Sequence, residues 1–269
     1  MSAIAQSSSS KMPRRLNSVG ATIRRKYNFQ AEDYGAPIDR YTYHRWAWEK
    51  VSGKALHLLQ DALKSLDQEA LLLDAGCGNG RWSQLYASKG FRLIGVDFAP
   101  MMLKVAIQRA RLQGYGDRFL CLLGDLENLS MIKSDSFDGV HLYGVIEHLE
   151  NPSRVLEQLS RVLRPNGVLL LDCPLIYGLS HITLRLFGSH PFYRFHSLNY
   201  VEQIIDGMDC LEIEQKKPTV YIWTGGVANW LLTHVLEKAN VSCIDALDSL
   251  VQVAYRRPCG MLYLIRKTR

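Results

Sequence analysis

The chain has 269 residues, of which 47% are apolar, and a chain of this size can bury a large hydrophobic core. Its formal net charge of +6 comes entirely from residues 1–30, which contain six basic side chains and no acidic one. Because the remaining residues sum to zero, they lack the basic surface expected of a nucleic-acid enzyme, and we expect no nucleic-acid partner. No apolar run is long enough to cross a bilayer.

Residues 1–30 are predicted to form a basic, disordered leader, and residues 31–269 a single domain. The leader is rich in serine and shows no apolar periodicity with which to pack. A targeting peptide and a tether to an anionic membrane surface are the alternatives to a solvated tail. The six cysteines are scattered without a C-x-x-C pair, which indicates a reducing compartment and no structural zinc. We therefore expect a cytoplasmic protein, with peripheral contact to a membrane as a second option.

Hydrophobic periodicity predicts that strands and helices alternate after an N-terminal helical segment. That segment runs from Asp39 to Leu66 and carries a cluster of aromatic side chains. Strands are then expected near Ala70–Ala75, Arg92–Asp97, Arg118–Leu123, Phe137–Leu142 and Gly167–Cys173, with helices near Arg81–Lys89, Pro100–Gln113 and Pro152–Leu163. Further along, we expect a helix at Asn199–Met208 and strands near Leu211–Gln215 and Met261–Ile265. This alternation is typical of an α/β fold with a mostly parallel, Rossmann-like sheet.

The most informative stretch is Leu71–Trp82, LLLDAGCGNGRW, at the end of the first predicted strand. The strand ends in a carboxylate, Asp74, and glycines then follow at positions 76, 78 and 80, which let a ligand lie directly against the backbone. A dinucleotide loop, G-x-G-x-x-G, would have its third glycine one position later, where Arg81 stands. The spacing therefore favours a ligand without a pyrophosphate. A purely structural turn between strand and helix is the alternative.

Three further strands also end in side chains that can bind a ligand. Asp97 ends the second strand, 21 residues after Gly76, a distance at which an acid in a βαβ unit can accept both hydroxyls of a ribose. Asp125 follows the third strand, and the fourth leads into a helix start at GVIEHL. Because open α/β sheets bind ligands at the carboxyl ends of their strands, these groups predict one shared crevice. The alternative is that Asp97 and Asp125 only cap the helices that follow them.

The order of these motifs resembles that of class I S-adenosylmethionine (SAM)-dependent methyltransferases. DAGCGNG, GVD, GDLENL, SFDGVHLYGVIEHLENP and RPNGVLLLDCP follow one another at the family's spacing. The resemblance covers Leu71–Pro174, with a weaker extension to Gln215. It implies a seven-stranded sheet with helices on both faces and one antiparallel strand, for which Met261–Ile265 is the candidate. It also implies that SAM is the methyl donor.

The resemblance further implies which residues bind SAM. The set is Asp74, Gly76, Cys77, Gly78, Asp97, Phe98, Met102, Asp125, Leu126 and Tyr143. The glycines would lie along the methionine moiety, Asp97 would hold the ribose, and Asp125 with Leu126 would meet the adenine. Phe98 and Met102 would form an apolar wall at the adenine, and Tyr143 would lie near the sulfonium. For Phe98 and Met102 a place in the core is the alternative, and Cys77 is interpreted as a small loop residue rather than a nucleophile.

Two insertions, at about 175–198 and 216–260, are predicted to form helical lids that determine the choice of substrate. Both are rich in apolar and aromatic side chains, as in LIYGLSHITLRLFG and TVYIWTGGVANWLLTHVL. An apolar lid suits a small, largely apolar acceptor. The alternative is that the insertions cover the sheet or form the face of a homodimer.

A closer resemblance concerns the acceptor side of the site. Gly188–Ile205, GSHPFYRFHSLNYVEQII, resembles the G-T-H-x-x-x-x-F segment of the O-methyltransferases of ubiquinone biosynthesis, which also carry E-x-x-E-H after the fourth strand. Here that motif begins with Gly144, so its first carboxylate is missing and no bound metal is expected. The candidate catalytic residues are His190, His148 and Glu147, and either histidine could act as the general base toward a hydroxyl.

Three hypotheses about function follow from these patterns. The first is methylation of a hydroxyl on a small molecule. The second is transfer to nitrogen, carbon or a carboxylate, although His141-Leu142-Tyr143-Gly144 stands where an N-P-P-Y-like tetrapeptide would indicate nucleobase amines. The third is a non-catalytic SAM-binding subunit, since Asp97 and Asp125 indicate binding but not turnover.

Overall fold

The computed structural model describes residues 18–64, 70–175, 194, 196–221, 234–237 and 239–269. Within these ranges lies a seven-stranded sheet, composed of β1 (Leu71–Ala75), β2 (Arg92–Asp97), β3 (Phe119–Leu123), β4 (Phe137–Leu142), β5 (Leu163–Pro174), β6 (Leu211–Pro218) and β7 (Gly260–Lys267). The strands lie in the order β3-β2-β1-β4-β5-β7-β6, and β7 runs antiparallel to both of its neighbours. The predicted mostly parallel sheet with a last, antiparallel strand is therefore confirmed.

Helices cover both faces of the sheet, as predicted. Their bounds are α1 (Ser18–Gln30), α2 (Ala36–Arg40), α3 (Thr42–Leu63), α4 (Arg81–Ala87), α5 (Pro100–Leu112), α6 (Pro152–Val162), α7 (Leu198–Asp206) and α8 (Val241–Tyr255). On one face α3, α4 and α5 pack on strand residues such as Leu72 and Leu93, and α8 packs on α3. On the other face α6 and α7 belong to the core that contains Leu73 and Leu169. Neighbouring leucines reach opposite faces because side chains alternate along a strand. None of these helices, all from the described ranges, is long and apolar enough to cross a membrane.

The sequence signals for helix starts are confirmed at α5 and α6. Pro100 and Pro152 occupy the first position of each helix, where a missing N–H costs nothing. The side chain of Asn151 caps α6 by accepting a hydrogen bond from the backbone N–H of Arg154 at 3.1 Å. The helical segment predicted over Asp39–Leu66 is divided into two helices, because Tyr41 is extended (φ −116°, ψ 131°) and separates α2 from α3.

The second part of the expected leader is a helix rather than a disordered tail. Residues 18–30 form α1, which lies against α5, and Asn28 accepts a hydrogen bond from the backbone N–H of Met101 at 3.1 Å. Ile23 and Ala31 are buried, and Tyr27 lies between them at four-residue spacing, so one face of the segment is apolar. The basic side chains obscured this short stripe in the sequence. The prediction of disorder is therefore wrong for residues 18–30, and residues 1–17 lie outside the described part.

The second expected insertion begins later than predicted, because β6 continues to Pro218. Its described helix, α8, packs on α3, where Asp245 accepts a hydrogen bond from Trp46 Nε1 at 2.8 Å and pairs with Lys50. This part of the insertion covers a helix of the outer layer, and its role as a lid stays a prediction. Residues 222–233 and 238, and most of the first insertion (176–193 and 195), lie outside the described residues.

Candidate active site

The turn between β1 and α4 depends on glycine. Gly76 has φ +76°, a left-handed conformation that other residues rarely adopt, and its N–H donates to the carbonyl oxygen of Val96 at 2.7 Å. A side-chain carbon at Gly76 would lie 2.4 Å from Cγ2 of Val145, so there is no room for one. The turn thus brings bare backbone to the carboxyl ends of β1 and β4.

Asp97 joins this turn to the end of β2. One carboxylate oxygen accepts a hydrogen bond from the backbone N–H of Gly78 at 2.9 Å, and the other accepts one from Ala99 at 2.8 Å. The residue is 6% exposed, and burial raises its pKa to about 6, although the two backbone N–H groups favour the ionised form. Each oxygen has a further lone pair, so the carboxylate can organise the turn and still accept a hydroxyl from a ligand.

Asp74 lies beneath the turn rather than on its surface. It is buried, and Oγ of Ser83 in α4 donates to one of its oxygens at 2.5 Å. Nδ1 of His141 lies 3.7 Å from the other oxygen, and neither ring nitrogen of His141 has a hydrogen-bond partner within the described ranges. These interactions anchor α4 to β1 and so fix where the glycine turn ends.

An aromatic cluster borders the turn on the β4 side. Tyr143 stacks on His141, with ring centroids 5.8 Å apart, and contacts Trp82 at 4.6 Å. The ring of Trp82 in turn meets Trp48 of α3 at 4.6 Å. Burial raises the pKa of Tyr143 well above its usual value, so the phenol is neutral. A neutral aromatic wall of this kind suits a neighbouring cation, because ring faces attract positive charge.

The residues expected around an adenine have different surroundings. Met102 is almost fully enclosed in a small apolar cluster between α1 and α5, and Leu126 belongs to the core on the opposite face of the sheet from α3. Phe98 is half-buried, and Asp125 accepts a hydrogen bond from the backbone two residues further on at 3.0 Å. Met102 and Leu126 therefore have core roles, and contact with adenine stays a prediction for all four residues.

Cys77 lies in the middle of the glycine turn and is buried. Its contact with the thiol of Cys121, together with burial, raises the pKa of Cys77 well above the usual value. A thiol that stays protonated is a poor nucleophile, which agrees with its interpretation as a small loop residue.

Glu147 and His148 lie in a short helical turn, Ile146–His148, directly after β4. Nε2 of His148 shares a hydrogen bond of 2.6 Å with the hydroxyl of Tyr27 from α1. Glu147 is 5% exposed, burial raises its pKa to about 7, and its Oε2 has no hydrogen-bond partner within the described part of the chain. The structure thus brings two of the three candidate catalytic residues to the rim of the crevice. The third, His190, lies outside the described residues.

Known protein families match the part of the chain that forms this site. Residues 73–171 match the family model described as a methyltransferase domain. That stretch contains the glycine turn, Asp97 and the rim after β4, in the arrangement described above. Residues 73–171 form a methyltransferase domain of the class I SAM-dependent type.

The chain is also similar to a known methyltransferase in sequence and to solved structures in fold. The chain is 30% identical to the ubiquinone biosynthesis O-methyltransferase of Chromobacterium violaceum over 139 residues, which make up 48% of this chain and 59% of that protein. The [4+2]-cyclase SpnF has a TM-score of 0.64 at 16% identity, over 96% of this chain and 98% of its own. The 1,6-didemethyltoxoflavin-N1-methyltransferase of Burkholderia thailandensis has a TM-score of 0.59 at 16% identity, over 99% of this chain and 100% of its own. It was solved with 1,6-didemethyltoxoflavin and S-adenosylhomocysteine. At these identities the two structures show the fold alone.

Three side chains near the site did not stand out in the sequence: Tyr27 in α1, Tyr34 between α1 and α2, and Asp172 in β5. The ring of Tyr34 lies 3.9 Å from the side-chain position of Gly78, and its carbonyl oxygen accepts a hydrogen bond from Asn79. Asp172 is buried near the end of β5. Asp172 could have been found from the sequence, because it is an acid near the end of a predicted strand, the same pattern that indicated Asp97. The two tyrosines belong to segments that gave no strand or site signal.

The described residues of the methyltransferase domain include no group of three or more His, Cys, Asp or Glu side chains that could share a metal ion. Gly144, with φ +65°, stands where the E-x-x-E-H motif has its first carboxylate. A reaction without a metal stays a prediction.

Proposed function

We propose that this protein transfers the methyl group of SAM to a hydroxyl of a small, largely apolar acceptor. The observation that supports this most strongly is that one crevice in the methyltransferase domain combines a bare glycine turn, the carboxylate of Asp97 and a rim with proton-accepting groups. Such a crevice lies where open α/β sheets bind their ligands.

The residues around the turn fit SAM in shape and charge. Val145 fills the space that a side chain at Gly76 would need, so this position has to be glycine, and its backbone is proposed to lie along the methionine moiety. Asp97 has lone pairs for the ribose hydroxyls, and the neutral ring of Tyr143 suits the sulfonium. SAM supplies an activated methyl group on a positively charged sulfur, so the protein needs no acid to activate the donor. The protein's main task is alignment, for which proximity can contribute about 7–11 kcal/mol.

The acceptor is proposed to bind at the carboxyl ends of β4 and β5. A hydroxyl must lose its proton as the methyl group arrives, and a positioned base contributes about 10²–10⁴-fold. Glu147 and His148 lie at this rim, and His190 is the further candidate from the first insertion. The name of the bacterial relative, an O-methyltransferase, supports oxygen as the target. The confinement of excess positive charge to residues 1–30 supports a small molecule rather than a nucleic acid.

The test is to incubate the purified protein with methyl-labelled SAM and a panel of phenols and quinols, together with amines, carbon acids and carboxylic acids of similar size. Each acceptor is paired with an analogue in which the hydroxyl is replaced by hydrogen. We expect labelled product only from the hydroxyl members, and turnover that survives EDTA. Label on amines, carbons or carboxylates alone would contradict O-methylation. Tight SAM binding with no product from any class would instead support a non-catalytic SAM-binding subunit.

A further inference from the structure

Two carboxyl groups lie buried together at the carboxyl ends of β4 and β5. Glu147, in the turn after β4, is 5% exposed, and Asp172, in β5, is 6% exposed. Both lie at Gly144, whose backbone N–H donates to Asp172 and whose side-chain position is 4.0 Å from Oε1 of Glu147. None of the ion pairs that the described residues form includes either group. Within the described residues no ion pair stabilises the charge of either acid, so hydrogen bonds have to stabilise them.

The hydrogen bonds of this carboxyl pair are incomplete. Asp172 accepts one from the backbone N–H of Gly144. Oε2 of Glu147 is buried and has no partner in the parts of the chain that the structure describes. A buried polar atom without a hydrogen bond costs about 1–3 kcal/mol, and more when it is charged. A ligand that donates a hydrogen bond to Oε2 would remove this cost.

The surroundings of the carboxyl pair connect it to the SAM side of the crevice. Burial and the charges of Asp172 and Glu147 raise the pKa of Tyr143, which is expected near the sulfonium. The charge of Glu147 also acts on Tyr34, whose ring lies next to Gly78. Other ionisable residues around Glu147 are Cys173, His148 and Arg194, whose backbone N–H donates to the carbonyl oxygen of Glu147 at 2.8 Å. The pair thus lies between the glycine turn and the acceptor end, where the acceptor and the methyl group have to meet.

The two acids differ in their ionisation. Burial raises the pKa of Glu147 to about 7, and burial with the charge of Glu147 raises the pKa of Asp172 well above its usual value. Burial and the neighbouring charge thus favour the protonated form of Asp172, which can donate a hydrogen bond. Glu147 exchanges its proton near the pH at which a general base is most effective. His148 is less available for this task, because its Nε2 already shares a hydrogen bond with Tyr27.

We propose that Glu147 takes the proton of the acceptor hydroxyl and that Asp172 positions Glu147 and the acceptor by donating a hydrogen bond. This proposal rests on the proposed function. In the step, the acceptor oxygen bonds to the methyl carbon while the carbon–sulfur bond breaks and its electron pair goes to sulfur. The hydroxyl proton moves to Oε2 of Glu147. Sulfur loses its positive charge and Glu147 its negative charge, so the charges balance.

The kinetic test compares Glu147→Gln, Asp172→Asn and His148→Gln, with Glu157→Gln on α6 as a matched control. Glu147→Gln should lower kcat by about 10²–10⁴-fold, leave SAM affinity unchanged, and remove the rise of kcat with pH around 7. Asp172→Asn keeps a neutral donor of the same shape, so its kcat should fall far less. Near wild-type kcat and an unchanged pH profile in Glu147→Gln would overturn the proposal. So would a loss of kcat in His148→Gln or Asp172→Asn that exceeds the loss in Glu147→Gln.

A second readout needs no acceptor. At pH 8 the infrared spectrum of the full-length protein should contain a protonated carboxyl band, which Asp172→Asn removes and Glu147→Gln keeps. Absence of the band, or its survival in Asp172→Asn, would overturn the carboxyl pair even if the protein methylates hydroxyls. If the band behaves as expected but no hydroxyl is methylated, the proposed function fails and the proton transfer fails with it. Melting temperatures check the fold, and Glu147→Gln should melt higher than wild type at pH 8, because it removes a buried charge.

Discussion

Asp97 has two roles, one toward the backbone of the turn and one toward the ligand. Asp97→Asn keeps an oxygen for one backbone N–H but loses the charge that strengthens a hydrogen bond to a ribose hydroxyl. Since hydrogen bonds to charged groups contribute about 1.5–3 kcal/mol, we expect binding of S-adenosylhomocysteine to weaken by about tenfold or more. Isothermal titration calorimetry measures this, with Asp209→Asn, an exposed acid after α7, as the control. Equal affinity for wild type and Asp97→Asn would contradict the assignment of the ribose site.

Gly76 is required for two separable reasons, its backbone conformation and its contact with Val145. Gly76→Ala should lower the free energy of unfolding by about 1–2 kcal/mol for the left-handed conformation alone, and by more for the clash. The double variant with Val145→Ala should recover only the second part. Gly53→Ala, on an open face of α3 where an added carbon meets nothing within 4 Å, should instead stabilise by about 0.5–1 kcal/mol. Urea denaturation of wild type and the three variants measures these differences. A similar change in the free energy of unfolding for Gly76→Ala and Gly53→Ala would show that Gly76 is not specially required.

Among the elements, α1 contributes most to the site without having been predicted. A variant that lacks residues 1–17 should keep the melting temperature and the affinity for S-adenosylhomocysteine. A variant that lacks residues 1–30 should lose both, because it removes the Asn28 cap on α5, the buried Ile23 and the Tyr27–His148 hydrogen bond. Thermal melting and calorimetry on both truncations test this. Wild-type affinity in the longer truncation would show that α1 is not part of the site.

The strands were predictable within a few residues because buried parallel strands are continuous apolar runs, and each turn after them has its own glycine or acid signal. The glycine turn and Asp97 were predictable for the same reason. α1 was not, because a short helix gains its stability from packing on α5 rather than from its own residues. The pairing of Asp172 with a second buried carboxyl group was not predictable either. Its chemistry depends on burial beside Glu147, 25 residues earlier in the chain, and no local pattern records that contact.

At the scale of the whole molecule, the buried carboxyl groups link stability to pH. In the folded, ligand-free protein the pKa of Asp97 is about 6 and that of Glu147 about 7, whereas in the unfolded chain both groups ionise near pH 4. The folded state therefore keeps protons that the unfolded state releases. The stabilisation from these groups is present below about pH 4 and is lost as the pH rises through 6 and 7.

We therefore expect the melting temperature of wild type, relative to that of Asp97→Asn/Glu147→Gln, to fall between pH 5 and pH 8. The comparison with the variant matters because His44 and His196, whose pKa values are lowered by burial, act in the opposite direction. Thermal melting of both proteins at four pH values measures the difference. A difference that does not change with pH would show that the two acids are not protonated in the folded state.

The contacts of α1 also have a consequence for the order of events in turnover. Asn28 caps the helix that follows Asp97, and Tyr27 bonds to His148 at the acceptor rim, so one helix touches both ends of the crevice. A rigid helix that leaves one of these contacts leaves the other as well. Two ligands that each hold α1 in place therefore bind cooperatively, and by thermodynamic reciprocity each raises the affinity of the other by the same factor. Donor and acceptor would then be retained together, and release of both products would begin with the departure of a helix that takes no part in the chemical step.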